Sequence, residues 1–523
     1  MKIQFYLLIL FVFSIFAMAI DTNSSLVSGF SEKSCFLQDN NGSKGLNDFC
    51  LELANKYNNL AFESYKDYDF NKSAYYLQKA VAIDKRVSNG DLALSRSYAL
   101  LSLTNFKDFN FSKAKDYFNL SLNIEKSLDL SRYSNSSIDI SDLYRNLAVL
   151  HFYLENDIDT FEEYYSKAID ILKDSKYKSD REKLYLVYYD MGKLIISVEG
   201  DYRRGVELLE KSVKSYNPIN RRAKLLYESK VYGDIVDICS DEEDFECSKS
   251  YLKRLIPINI SLYGKDSPLV IDVYYGISFA YLETKDFNLA KEYMEKILNI
   301  YKKRQKSRSR ELKIAYVYGN LGVIAQDAKD YDNAKIYYKK AIDIYNRFNS
   351  KDLNNTINYN NLALISLESG EYNKSIEYFK KSLSIKEEIL GEDSIETLEQ
   401  YSIMALVYKD LKEYGKAIFY LEKILNTNKK RFGEDSLNSI YDYYNIGLVY
   451  ADMKKFDMAK EYLQKSLTLK IRILFGDERL EEVSNKLALF SINEYKKIVS
   501  FSYDKLDEFL DNIDFFIRLK DKS

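Results

Sequence analysis

The stretch YGNLGVIAQDAKDYDNAKIYYKKAIDIY, residues 318–345, governs the reading of the chain because it is one copy of a recurring pattern. Three residues after Tyr318 stands an apolar residue, Leu321, and next to it a small one, Gly322. That spacing puts all three on one face of a helix. A polar turn follows, and Tyr331 then opens a second amphipathic segment with a small residue, Ala334, three positions on. Small residues on both segments let two backbones approach closely, as a tight antiparallel helix pair requires.

The pattern extends in both directions. Tyr57, Tyr98, Tyr144, Tyr188, Tyr232, Tyr274, Tyr318, Tyr359, Tyr401 and Tyr443 recur at intervals of 41 to 46 residues. The second segments open at Phe70, Phe111, Ile158, Tyr202, Phe245, Phe287, Tyr331, Tyr372, Tyr414 and Phe456. A repeat of this length, with helical periodicity inside each copy, predicts an all-α fold. The expected architecture is an α-solenoid of about ten stacked antiparallel helix pairs over residues 49–475, with residues 476–523 as C-terminal capping helices over the last apolar face. Two departures carry local expectations. Phe161 stands where the third pair should have a small residue, which predicts a looser pair. Pro257 falls 12 residues into its helix, counted from Phe245, which predicts a kink or break between Arg254 and Pro257.

Together these features resemble a tetratricopeptide repeat array, with tyrosine standing where that family has tryptophan and with the family's late proline missing almost throughout. The period near 42 residues, longer than the common repeat of about 34, together with GEDS at 391–394 and 433–436, is similar to the kinesin light chain variety. GEDS reads as punctuation between helices rather than as a calcium or phosphate loop, which needs more ligands at defined offsets. Gly391 and Gly433 suit a left-handed helix C-cap, and Asp393 or Ser394, and Asp435 or Ser436, suit the next N-cap. Asp393 and Glu396 have capping-box spacing. YGKDSP at 263–268 repeats the device, with Pro268 just inside the new helix.

Charge and composition exclude several function classes. The 76 basic residues nearly balance 79 acidic ones, so no global field favours nucleic acid as a partner. No nucleophile motif, phosphate-cradling loop or paired C-x-x-C spacing occurs, so neither a catalytic role, a cofactor nor a metal is expected. The one histidine, His151, occupies a position filled by tyrosine in other repeats and reads as a packing residue. The basic run KKRQKSRSR, residues 302–310, reads as a solvated loop, with a contact for an acidic partner as the functional alternative.

Residues 1–19 of MKIQFYLLILFVFSIFAMAI have the layout of a secretory signal peptide, with an uncleaved membrane anchor as the alternative. The expected location is therefore exported, periplasmic or secreted, with residues 20–48 a poorly ordered linker and no later membrane span. In such a compartment Cys35 with Cys50 and Cys239 with Cys247 suit disulfides, and four separate thiols are equally compatible with the spacing.

In kinesin light chain and similar arrays, asparagines on the first helices bond the backbone of a bound peptide. The resemblance places Asn59, Asn146, Asn320, Asn361 and Asn445 at the matching position, two after the repeat tyrosine. Tyr275, Asn360 and Tyr444 follow the tyrosine by one, and Leu364, Leu406 and Leu448 by five, as candidate groove walls. The densest set lies between the seventh and tenth repeats. The expected function is a non-enzymatic protein-protein interaction scaffold that binds a peptide or helical segment of a partner in the concave groove. The alternatives are a structural or assembly subunit of an envelope or secretion complex and an enzyme-associated sensor.

Overall fold

The computed structural model describes residues 44–87, 92–129, 133, 136–348, 351–481 and 492–499, with single positions at 35, 505 and 506. The expected signal segment and most of the expected linker lie outside the described residues. The described residues are helical with no strand. They form two compact units, Met1–Ala280 and Tyr281–Ser523.

In the first unit the helix pairs are α1 (Lys44–Lys66) with α2 (Phe70–Val87), α3 (Leu92–Lys107) with α4 (Phe111–Glu125), and α5 (Ser137–Leu150) with α6 (Ile158–Lys173). They continue as α7 (Leu184–Glu199) with α8 (Tyr202–Ser215), and α9 (Arg221–Asp241) with α10 (Phe245–Tyr263). Helix α11 (Pro268–Glu283) carries the unit boundary. The second unit holds α12 (Phe287–Lys303), then α13 (Arg308–Asp327) with α14 (Tyr331–Arg347), and α15 (Leu353–Glu368) with α16 (Tyr372–Leu390). It ends with α17 (Ile395–Asp410) and α18 (Tyr414–Phe432), α19 (Leu437–Asp452) and α20 (Phe456–Phe475), and α21 (Ile492–Val499). Each unit is thus a stack of antiparallel helix pairs, the α-solenoid arrangement.

Every second helix starts on the residue that opened its segment in the sequence, and the turn before it explains why. Two residues ahead of each start the backbone turns left-handed, as at Phe109 (φ 59°), Lys329 (φ 60°), Gly370 (φ 72°) and Lys412 (φ 62°). One residue ahead, an aspartate often caps the helix: Asp157, Asp201, Asp244, Asp286 and Asp330 each accept from the backbone N–H three residues on. Inside a pair the small residues allow close approach: a Cβ on Gly192 would lie 2.9 Å from the Gly205 carbonyl oxygen. A Cβ on Gly322 would lie 2.4 Å from the Tyr338 ring, which is fully buried against that glycine.

A further pattern holds the pairs together. In most pairs the repeat tyrosine of the first helix packs on a tyrosine of the second, for example Tyr57 on Tyr76 (6.1 Å between centroids), Tyr359 on Tyr378 (6.2 Å) and Tyr401 on Tyr420 (5.7 Å). Three residues after the second tyrosine a cation lies over a ring: Lys79 over Tyr57, Lys381 over Tyr359 and Lys423 over Tyr401. Such pairs contribute about 0.5–1.5 kcal/mol each beyond burial.

The connections follow the expected punctuation with two changes. Ser394 and Ser436, not the neighbouring aspartates, cap α17 and α19, so the Asp393–Glu396 capping box does not form. Asp393 instead accepts from Thr427 Oγ1 at 3.2 Å, and Glu392 pairs with Lys423 at 3.2 Å. Gly391 (φ 84°, ψ 161°) and Gly433 (φ 87°, ψ 166°) lie outside the left-handed helical region expected of them, in territory that only glycine enters freely. No atom would touch a methyl group added there. Gly391→Ala should therefore cost about 1–3 kcal/mol through backbone strain alone. Urea denaturation checks this, and unchanged stability would contradict it.

Two sequence expectations are corrected. Helix α10 runs unbroken from Phe245 to Tyr263 through Pro257. Pro257 and Lys253 both face solvent, so the carbonyl that loses its proline partner lies on the hydrated side, while Leu255, Ile258 and Leu262 stay buried on the other. The third pair accommodates Phe161 by another route than loosening. That repeat has one more residue between Tyr144 and Ile158 than the 13 that separate Tyr318 from Tyr331. Its first helix ends in a π-turn, His151–Glu155, and the fully buried Phe161 packs edge-on against Phe152 and Tyr165.

The termini of the array are tied down. Cys35 is buried and bonded to Cys50, with 5.5 Å between their Cα atoms, so the expected loose linker is anchored at that point. Cys239 and Cys247 are bonded across the α9–α10 turn. Ile498 of α21 and Leu506 are buried in the core of the second unit, and residues 500–504 lie outside the described set.

Candidate functional site

In the second unit the first helices α13, α15, α17 and α19 follow one another as neighbours. Asn360 Nδ2 donates to Gln400 Oε1 (3.1 Å), joining α15 to α17, and Lys409 pairs with Asp452 (3.4 Å), joining α17 to α19. Each carries residues two before and five after its repeat tyrosine, seven apart and hence within about 20° of the same rotation about the helix. These are Tyr316 and Val323, Ile357 and Leu364, Glu399 and Leu406, and Tyr441 and Leu448. Ile357 is 52% exposed, Leu406 57% and Tyr441 67%, and Tyr316 and Leu364 are also exposed. The result is an apolar stripe across four successive helices.

The candidate asparagines divide. Asn445 is exposed and Asn320 half-buried on this face. Asn361 is half-buried, and its Nδ2 donates to Tyr338 Oη (3.0 Å) on the second helix of the preceding repeat. Asn360 spends its amide on Gln400. Tyr275, Tyr444 and Leu448 are half-buried. In the first unit Asn59 is exposed, whereas Asn146 is 3% exposed and so is enclosed rather than presented to a ligand.

The position two after the tyrosine lies at a seam between repeats. Asp190 holds that position in the fourth repeat and pairs with Arg145 of the third; Asp234 holds it in the fifth and accepts from Tyr189 Oη (2.6 Å) of the fourth. Each bond spans 45 residues.

The Arg145–Asp190 pair belongs to a chain of charges through α3, α5 and α7. Arg96 pairs with Asp139 and lies 3.8 Å from Asp142; Arg145 Nη1 donates to Asp142 Oδ1 at 2.9 Å. Arg145 and Asp190 are almost fully buried. Burial pushes the Asp190 carboxyl up to about 7, against the pull of Arg145. Burial raises Asp142 as well, opposed by Arg145 and Arg96. For Arg145 burial disfavours the charge, but Asp190 and Asp142 outweigh it and its pKa is raised.

Arg96, Asp139, Asp142 and Arg145 border a cleft of about 370 Å³ in the first unit. Asn58, Asn59 and Phe62 come from α1, Arg96 and Leu100 from α3, Ser141, Asp142 and Arg145 from α5, and Leu186 from α7. Of the candidate asparagines Asn59 lies here, but the charged residues of the cleft were not singled out in the sequence. The charges at the same offsets, Arg145 one after Tyr144 and Asp190 two after Tyr188, were the available signal.

His151 is 8% exposed, stacked on Tyr164 (5.2 Å) and edge-on to Phe118 (4.9 Å), with Nδ1 3.0 Å from Glu155 Oε2. The basic run is mostly helix: Lys303 ends α12, and Ser307 caps α13 by accepting from the Arg310 N–H. Among the described residues no group of three or more His, Cys, Asp or Glu side chains is placed to hold a metal ion, and no helix is long and apolar enough to cross a membrane.

Comparison with known proteins agrees with the repeat geometry. Tetratricopeptide repeat families match residues 271–304 and, in overlapping copies, 313–388, 355–430 and 400–472. No curated protein matches the chain. Among solved structures, a putative kinesin light chain repeat protein from Podospora anserina is 14% identical, with 39% of this chain and 96% of that one covered and a TM-score of 0.33. A signal transduction ATPase with a tetratricopeptide repeat sensor from Pyrococcus horikoshii is 15% identical, with 94% and 70% covered and a TM-score of 0.39. The quorum sensor NprR from B. thuringiensis is 16% identical, with 72% and 98% covered and a TM-score of 0.33. At such identities and scores these three carry no functional argument. The matched stretches, residues 271–304 and 313–472, are built of helix pairs of the kind described above, and over them the chain matches the tetratricopeptide repeat.

Proposed function

We propose that the chain is an exported, non-enzymatic scaffold that holds an apolar peptide segment or helix of a partner protein along the first helices of the second unit. The observation that carries this reading is the stripe formed by Tyr316, Ile357, Leu364, Leu406 and Tyr441, exposed on four successive helices. Isolated exposed apolar residues are ordinary, but a row of them repeated in register is the feature of a binding surface. Exposed Asn445 and half-buried Asn320 beside the stripe offer donors and acceptors to a peptide backbone. Export is supported by the leader-like residues 1–19 and by two disulfides, which persist in oxidising compartments.

The test uses the full chain and a displayed peptide library. Wild type should select peptides with spaced apolar anchors, and binding should change only weakly with salt because the contacts are not charge-steered. The triple variant Ile357→Asp, Leu406→Asp, Tyr441→Asp should weaken binding at least about tenfold, since such substitutions bury charge without a partner. Unchanged binding in a variant with wild-type helix content would reject the stripe and favour an assembly subunit that acts through its edges. A steep loss of binding between low and physiological salt would reject its apolar character.

A further inference from the structure

The cleft of the first unit has a different chemistry from the stripe of the second. It is lined by apolar Phe62, Leu100 and Leu186 and by residues that carry buried hydrogen-bonding atoms with no partner among the described residues. Arg145 Nε–H and Ser141 Oγ are two of these, on residues 3% and 1% exposed. They lie four apart on α5 and therefore on one face of it. Across the cleft, the buried Oδ1 of Asn58 on α1 is an acceptor without a donor. Buried polar atoms are almost always satisfied, so unpartnered ones on residues that line one cavity point to what belongs beside them.

The required ligand follows from that inventory. Arg145 Nε–H needs an acceptor, Ser141 can donate to the same one, and partly exposed Lys183 brings a cation to the same cleft. Asn58 Oδ1 needs a donor, and half-exposed Asp139 adds a carboxylate. The lining holds three cations, Arg96, Arg145 and Lys183, and three carboxylates, Asp139, Asp142 and Asp180, so the lining itself is balanced. A ligand with net charge would upset that balance. A cavity of about 370 Å³ is at the small-molecule end of binding sites. We infer that this cleft binds a small zwitterion with an apolar substituent, of the size of a free amino acid or dipeptide. Its carboxylate meets Ser141, Arg145 and Lys183, its ammonium faces Asn58 and Asp139, and its side chain lies on Phe62, Leu100 and Leu186.

The experiment titrates the full chain by calorimetry and thermal shift with leucine, phenylalanine and leucyl-leucine. Succinate, isoamylamine and glucose serve as anionic, cationic and uncharged probes. Expected is saturable binding and a raised melting temperature with the zwitterions only. Ser141→Ala and Asn58→Ala should each raise Kd about tenfold, as for a hydrogen bond to a charged group. Lys183→Met, on a partly exposed residue, should do so without disturbing the fold. The Ile357→Asp, Leu406→Asp, Tyr441→Asp variant should bind the zwitterions like wild type, which separates this site from the groove. No binding by any zwitterion overturns the proposal. So does equal or tighter binding of succinate, isoamylamine or glucose, or zwitterion binding unaffected by the three cleft substitutions.

Discussion

Arg145→Met should destabilise the first unit by about 3–5 kcal/mol, because it leaves buried Asp190 without its cation and Asp142 with only the more distant Arg96. The loss should be local. In a repeat array each copy contacts its neighbours only, so amide exchange should accelerate in α5 and α7 while α15, α17 and α19 keep their protection. Adding Asp190→Leu to Arg145→Met should recover part of the loss, since it removes the stranded carboxylate and puts an apolar group in its place. A loss under about 1 kcal/mol would mean that water reaches the pair and that it behaves as a surface ion pair.

The same carboxylate should give the stability a pH dependence of unusual sign. Asp190 is held at about 7 against 3.8 for an unburied aspartate. Below the lower value both states are protonated and the contribution is fully present. As pH rises towards about 7 the unfolded chain releases its proton first, so the contribution is lost across that window, on the order of a few kcal/mol in all. Asp190→Asn should abolish the trend. The quantity to measure is the difference between wild type and variant in denaturant midpoint, at intervals from pH 4 to pH 8. Carboxylates held below their usual range, such as Glu162 by Arg204 and Glu434 by Lys429, act in the opposite direction on acidification. They are present in both proteins and cancel. A flat difference curve would show that Asp190 is not raised by burial.

Much of the architecture was legible because each pair is specified locally. The spacing of Tyr318, Leu321 and Gly322 against Tyr331 and Ala334 states which faces meet, and only a left-handed turn closes two helices across so short a connection. The ten second-helix starts coincide with the sequence signal for that reason. Pro257 shows the limit of a local rule. A proline's penalty depends on whether the orphaned carbonyl is hydrated, and only the packed helix shows that it faces solvent. The π-turn at His151–Glu155 was foreshadowed by one extra residue in the third repeat, but a count does not say where the chain will absorb it.

The sequence by itself determined the helix pair, its period and the side of each first helix that packs on its partner, since these depend on residues within some 30 positions of one another. Only the tertiary structure decided what the other sides do. A residue two after the repeat tyrosine points some 200° away from it, which reads as exposure when a pair is considered alone. In a stack that direction meets the neighbouring repeat, so Asn361 bonds Tyr338, Asp234 accepts from Tyr189, and Asp190 is buried on Arg145. The bonds that enclose those residues join repeats more than 20 residues apart, and no single repeat contains the information that its neighbour supplies a tyrosine, an arginine or open solvent. The apolar stripe and the charged cleft both arise at that level, from the register in which one pair is laid upon the next.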